Sequence, residues 1–399
     1  MQPLHFYLLS TGSWFMAFGI QGVMFAWLVT MVLKESPEMV GVAQMTLLLP
    51  GMLLMLLGGS VADRIGGRIV ATVGQAAAGF APLVLLLLVS TGRLTLTGML
   101  VYAVIMGSAS AFVTPARDGL LNVVASGRIQ RTVMLTSIIQ FGLQIVGFLI
   151  ASLADTLGPE SILGFQSLVL LTGAIGFLYI REIRPPVVKQ GRLSLVASIV
   201  EGAKTVLGST PMRAVVVQNV AMALFFMGSF MVTLPLLVRD VFHGSASDLA
   251  FINAANSLGI VVSMVLLVRY GDLHRQGRAL MLAQGAGAVA LCVSAFAPGY
   301  GWFVFVLFWW GSCGGIAMSM SRTIMQELAP EDQRGRVMGF YAFSFVGAGP
   351  LGALLSGYLV EHIGAREALI CSSLLMAVVV LTMSLRSSLW RLQVPSVIP

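Results

Sequence analysis

Proton transfer, metal ligation and nucleophilic attack each need particular side chains at particular spacings, and this sequence is sparing with all of them. Its 399 residues include 16 aspartates and glutamates, 4 histidines and 3 cysteines. His5, His243, His274 and His362 are scattered, with no two at ligand spacing, and Cys292, Cys313 and Cys371 each fall inside an apolar run. There is no nucleophile elbow and no phosphate-cradling glycine loop, so neither an enzyme nor a resident cofactor or metal is expected. The carboxylates are equally instructive. A proton relay in a membrane commonly runs through buried Asp or Glu, yet every acidic residue here maps to a loop or to the end of an apolar run. The candidates for proton coupling are therefore such end positions: Asp118, Asp155 and Glu361.

Two other sets of residues stand out. Neutral amides and large aromatics occur within the apolar runs, and Gln21, Gln144, Asn256, Phe226, Trp309, Trp310 and Tyr341 are the candidate contacts for a bound molecule. Such amides serve equally as glue between helices. For Gln21, Gln144 and Asn256 both roles stay open, whereas Gln140, Asn253 and Gln284 are assigned to packing. The second set is a charged turn with the pattern Gly-x-x-x-Asp-Arg-x-Gly-x-Arg, carried by Gly59, Asp63, Arg64, Gly66 and Arg68. Asp272, Arg275, Gly277 and Arg278 form a weaker echo of it.

The elements that carry these residues follow from hydropathy. Apolar residues make up 57% of the chain and charged residues 10%, against about 25% charged in a soluble domain. A net charge of +7 does not indicate nucleic acid, because the basic residues are confined to short loops between apolar runs. A membrane-spanning helix needs about 20 apolar residues. Charge-free runs of that order begin at Phe6, Met39, Ile69, Leu94, Thr132, Ser161, Ala214, Leu249, Ala279, Val337 and Ala368. The run from Ala279 to Ser321 is long enough for two crossings and is divided by Pro298-Gly299-Tyr300-Gly301. The expected fold is an all-α polytopic membrane protein of twelve transmembrane helices in two pseudo-symmetric six-helix halves.

Of the 23 lysines and arginines, only Lys34, Arg93, Arg239 and Arg366 fall on one side. The excess on the other side places both termini in the cytoplasm. The chain also repeats itself, since the spacing from Arg117 to Arg131 recurs between Arg322 and Arg336. The expected divisions are a first half at 1–181, a cytoplasmic linker at 182–213, a second half at 214–386 and a cytoplasmic tail at 387–399. In the linker, Val196, Ile199, Val200, Ala203 and Leu207 recur at helical spacing, which suits either an amphipathic helix on the inner membrane surface or a solvated linker.

The charged turn between the second and third helices resembles the signature loop of the major facilitator superfamily, and the whole chain is similar to that family. Within it, the Thr114-Pro115-Ala116-Arg117 run resembles the drug–proton antiporter branch that includes macrolide and enterobactin exporters. The short loops favour a bacterial inner membrane, and the resemblance implies a secondary transporter working as a monomer by alternating access. Its cargo would be an amphipathic small molecule, drug-like or a siderophore, exported with protons as the candidate coupling ion. It further implies that Asp63 meets the start of the eleventh helix when the inner gate closes, with Arg64 and Arg68 in support. A lysophospholipid flippase and a non-transporting receptor or scaffold on the same fold are the alternatives. Two features depart from the antiporter pattern: no charge lies between Leu94 and Ala116, and the Gly-Pro pair sits at Gly349-Pro350 rather than in the fifth helix.

Overall fold

The computed structural model describes residues 3–125, 129–180, 195–270, 273, 275–331 and 333–392. Among these residues, twelve helices are long and apolar enough to cross a membrane. We number the helices α1 (Pro3–Trp27), α2 (Pro37–Ile65), α3 (Gly67–Ser90), α4 (Leu96–Val124), α5 (Ile129–Ala151), α6 (Ala154–Leu157) and α7 (Pro159–Leu178). There follow α8 (Leu195–Gly208), α9 (Thr210–Ala221), α10 (Leu234–Asp240), α11 (Ala246–Tyr270), α12 (Gln276–Ala295), α13 (Tyr300–Leu328), α14 (Arg334–Ile363) and α15 (Ala365–Arg386). The first span continues from α1 through a π-helical turn at Leu28–Val32, and the seventh runs from α9 to α10 through two more, Met222–Met227 and Ser229–Thr233.

The boundaries have local causes. Ser36 caps α2 by accepting from the Met39 amide, Pro37 occupies its first turn, and Glu38 adds a favourable charge there. Thr95 caps α4 through the Gly98 amide at 3.2 Å. Ser245 and Asp248 form a capping box at the start of α11, the Ser245 amide donating to Asp248 Oδ2 at 2.8 Å. The turn at Pro298-Gly299 separates α12 from α13, as its composition predicts.

Two ends differ from the sequence expectation. Pro115-Ala116-Arg117-Asp118, expected as the stop of the fourth helix, lies inside α4, which continues to Val124. Likewise α13 runs through Arg322 to Leu328. An internal proline is tolerated in a spanning helix when neighbours or local adjustment satisfy the freed carbonyl. An arginine is tolerated when packing supplies partners, as described below for Arg117.

The chain divides into two compact units. The first comprises 1–189 together with 238–254, and the second comprises 190–237 with 255–399. In the first unit α1 packs on α5, α2 on α4, and α3 on both α4 and α7. In the second, α12 packs on α13 and α15, and α14 packs on the π-helical part of the seventh span. The repeat seen in sequence is repeated in packing. A Cβ on Gly147 of α5 would fall 2.1 Å from the Met16 carbonyl, beside Gly19 of α1. A Cβ on Gly228 would fall 2.3 Å from the Gly352 carbonyl of α14. The offset that carries Asp63 onto Asp272 carries Gly19 onto Gly228, and the offset that carries Arg117 onto Arg322 carries Gly147 onto Gly352. Each unit thus brings its first and fifth spans into backbone contact through glycine.

Part of the stretch read as a linker is described. Residues 195–208 form helix α8, which docks on α14: Glu201 pairs with Arg336, and Thr205 donates to Gln333 at 2.5 Å. Val200, Lys204 and Leu207 face outward. Residue 181, residues 182–194 of the linker and 393–399 of the tail lie outside the described residues.

Candidate transport site and gates

The signature turn joins α2 to α3 at Gly66, whose φ of +107° only glycine adopts without strain. Beneath it lies an apolar cluster of Tyr7, Ala62, Val70, Ala116, Leu120 and Phe177. Arg68 Nη1 donates to the Ile180 carbonyl at 3.4 Å, a cation placed at the end of α7 where carbonyls lack helical partners. Asp63 and Arg64 are exposed, and Gly59 is half-buried. The turn is therefore a packed base that holds one carboxylate outward.

The echo is built differently. Asp272 lies outside the described residues. Arg275 is exposed, whereas Arg278 lies over the Trp390 ring at 5.0 Å, a cation–π contact. A Cβ on Gly277 would meet the Leu389 carbonyl at 2.0 Å. Gly277 is thus where the tail crosses the start of α12.

Arg117 is the one charged residue in the buried set of the described chain, at 6% exposure. Its guanidinium sits 4.6 Å over the Phe15 ring and 3.5 Å from Asp118, while Nη1 has no hydrogen-bond partner. The Tyr7 hydroxyl is buried near it, beside the Thr11 and Thr136 hydroxyls. A hydropathy cut made at the first charge ends the helix one residue too early to include it. The signal that could have located it is the Phe15 ring on α1, a contact distant in sequence.

The end of the first unit formed by turns 33–36, 152–158 and 240–245 is fastened twice; we call it the far end. Asp155, exposed on α6, accepts from the Ser247 amide at 2.9 Å, the Ser247 hydroxyl at 2.8 Å and the Ala246 amide at 3.3 Å. These amides begin α11, where backbone donors have no helical acceptors and carry partial positive charge. The Ser152 carbonyl, 2.9 Å from the Ser247 hydroxyl, shares the same proton. Arg239, at the end of α10, donates through Nη1 to the Glu35 carbonyl at 2.9 Å and the Thr30 carbonyl at 3.3 Å, while pairing with Asp240. A carboxylate thus meets a helix start and a cation meets a helix end. Sequence placed Asp155 at a span end without naming its partner, and it did not single out Arg239. Asp118 and Glu361 are both exposed, and Asp118 touches Arg117.

The amide and aromatic candidates divide between the units. Gln21 is buried on α1 and Gln144 is half-buried on α5, whose backbones meet beside Gly19. Asn256 donates to the Leu307 carbonyl at 3.3 Å and so ties α11 to α13. Phe226 and Trp310 are buried edge to face with ring centroids 5.6 Å apart, and Phe230 joins them. Trp309 instead points away from this cluster. It is 56% exposed and lines an apolar groove of about 500 Å³ with Val293 and Phe305. Tyr341 belongs to a polar network that sequence reasoning missed. Its hydroxyl meets Ser321, while Asn219 donates to its carbonyl at 3.1 Å and to Ser344 at 2.8 Å.

Two helical units related by an internal repeat, a charged turn between the second and third spans, and fastened helix ends are features of a membrane transporter. The model of the Major Facilitator Superfamily matches residues 7–353, and the chain belongs to that family. Among solved structures, the chain is similar to the nucleoside transporter NupG (TM-score 0.76, 14% identity, covering 98% of this chain and 100% of that one). It is also similar to an auto-inhibited POT-family peptide transporter (TM-score 0.74, 16% identity, 100% of this chain and 98% of that one). A structure of proton-dependent oligopeptide transport aligns with TM-score 0.70 and 13% identity, covering 96% of each chain. At these identities the likeness is one of fold. No curated protein matches the chain.

Proposed function

We propose that the protein is a secondary transporter that exports a small amphipathic molecule across a bacterial inner membrane, with both termini cytoplasmic. The observation that carries this reading is the neutrality of the buried interior. Among the described residues Arg117 is the sole buried charge, and the remaining buried polar groups are hydroxyls and amides. Such an interior suits a ligand without a net charge, because an ionised group brought inside without a partner costs several kcal/mol. Gln21, Gln144, Asn256, Phe226, Trp310 and Tyr341 are the proposed contacts. The position of Trp309 on an apolar groove suits contact with lipid better than with cargo. On this reading the far end of the first unit faces outward, and Asp63 stands on the opposite, inner end of α2 as the gating carboxylate.

The proposed coupling residue is Asp155, because its carboxylate is both exposed and engaged with a helix start. Protonation removes the charge that the α11 amides receive, which would link outside protons to opening. A thermal-shift screen of the purified protein tests the ligand class, since a ligand that binds the folded state raises its melting temperature. Neutral amphipathic compounds should stabilise the protein. Stabilisation by small polyanions alone would overturn the reading.

A further inference from the structure

Six described residues have positive φ: Gly66, Gly92, Gly158, Gly364, Lys34 (+53°) and His243 (+50°). Four are glycines, for which this conformation is free of strain. The other two carry a Cβ that crowds the following carbonyl in the left-handed region. A chain with 44 glycines has nonetheless placed Lys and His at these two turns.

The two are counterparts. The offset that carries Asp63 onto Asp272 carries Lys34 onto His243 and the cap residue Ser36 onto Ser245. Lys34 follows the first span and His243 follows the seventh, and both line one cavity of about 520 Å³ with Glu35, Arg239 and Asp240. Arg239 bridges the two turns by donating to the Glu35 carbonyl. Both residues close a helix C-terminus, where the Glu35 amide donates to the Val29 carbonyl at 3.2 Å and the Gly244 amide to the Val238 carbonyl at 2.9 Å, so the same strained cap stands in equivalent turns of both repeats beside the Arg239 fastening. Strained backbone persists where the surrounding structure holds it, and hinge residues at element ends absorb dihedral change.

We propose that Lys34 and His243 are the paired hinge residues of the outer gate, strained when the far end is closed and relaxed when it opens. This rests on the alternating-access reading above. The strain lowers the preference for the closed state, so that the fastenings by Asp155 and Arg239 hold the gate without locking it.

Comparing glycine with alanine at these positions isolates the backbone from the side chain. Lys34→Gly and His243→Gly remove the strain, whereas Lys34→Ala and His243→Ala keep the Cβ and remove only the side-chain chemistry. Spin labels at Leu157→Cys and Phe251→Cys, in a chain lacking Cys292, Cys313 and Cys371, report the distance across the far end. Each glycine should raise the closed-to-open ratio about five-fold relative to its alanine counterpart, the factor that corresponds to the lower limit of left-handed strain. The double glycine variant should shift it further and lower the rate of transport. Equal populations for glycine and alanine would overturn the hinge assignment, and so would a higher melting temperature with unchanged populations, which marks ordinary helix ends. A native chain that shows a single closed distance with and without stabilising ligand would instead overturn alternating access itself.

Discussion

Replacing Asp155 by asparagine keeps the shape of the side chain and one acceptor oxygen, and removes the charge that the first amides of α11 receive. In the structure that carboxylate accepts from two amides and one hydroxyl. A charge at a helix terminus contributes about 0.3–1 kcal/mol when exposed and up to ~2 kcal/mol when partly buried. Asp155 is exposed, and asparagine retains part of the hydrogen bonding, so a loss of about 1 kcal/mol is expected. That loss corresponds to roughly a five-fold change in the closed-to-open ratio of the far end. The Leu157/Phe251 spin-label pair reads this ratio directly, and Asp155→Ala should shift it further in the same direction. Acid should act like the asparagine variant, because protonation removes the same charge. High salt should narrow the difference between the native chain and Asp155→Asn, since screening weakens an exposed charge. If neither variant changes the distance distribution, Asp155 is a surface residue and the fastening does not hold the gate.

Three further outcomes follow from the geometry. Asp63→Asn should slow transport while leaving the melting temperature within a few degrees of the native value, because Asp63 is exposed and its turn is held by Gly66 and Arg68; unchanged flux would reduce the motif to a turn. Gly147→Ala should destabilise the protein by about 1–3 kcal/mol by overpacking, as its Cβ lands 2.1 Å from the Met16 carbonyl, whereas Gly142→Ala, with open space around it, should melt like the native chain. Trp310→Ala should cost about 3–5 kcal/mol because the ring is buried against Phe226, while the exposed Trp309→Ala should be nearly neutral in unfolding experiments.

The fold was legible because a bilayer imposes one length on every apolar run, and Pro298-Gly299 marks where the longest run divides. The repeat was legible through charged residues at matching spacings, and glycine contacts at equivalent positions give it a physical basis. The site was less so. Trp309 and Trp310 are neighbours in sequence, yet successive residues of a helix point about 100° apart, so one entered the core and the other the outer surface. Arg117 read as a loop residue because its compensation, the Phe15 ring, lies on another helix. The same holds for Asp155 and Arg239, whose partners are backbone groups far along the chain. Backbone groups carry no residue signature, and a pattern of residue types cannot reveal them as partners.

On the proposed function, this chain moves a neutral amphipathic molecule by alternating access. This is tested most directly by counterflow in proteoliposomes, using a labelled compound that stabilises the purified protein in the thermal-shift screen. Liposomes preloaded with the unlabelled compound should accumulate the label transiently, and the Asp63→Asn variant should do so more slowly. Label uptake no greater than in protein-free liposomes, for a compound shown to bind, would contradict the account.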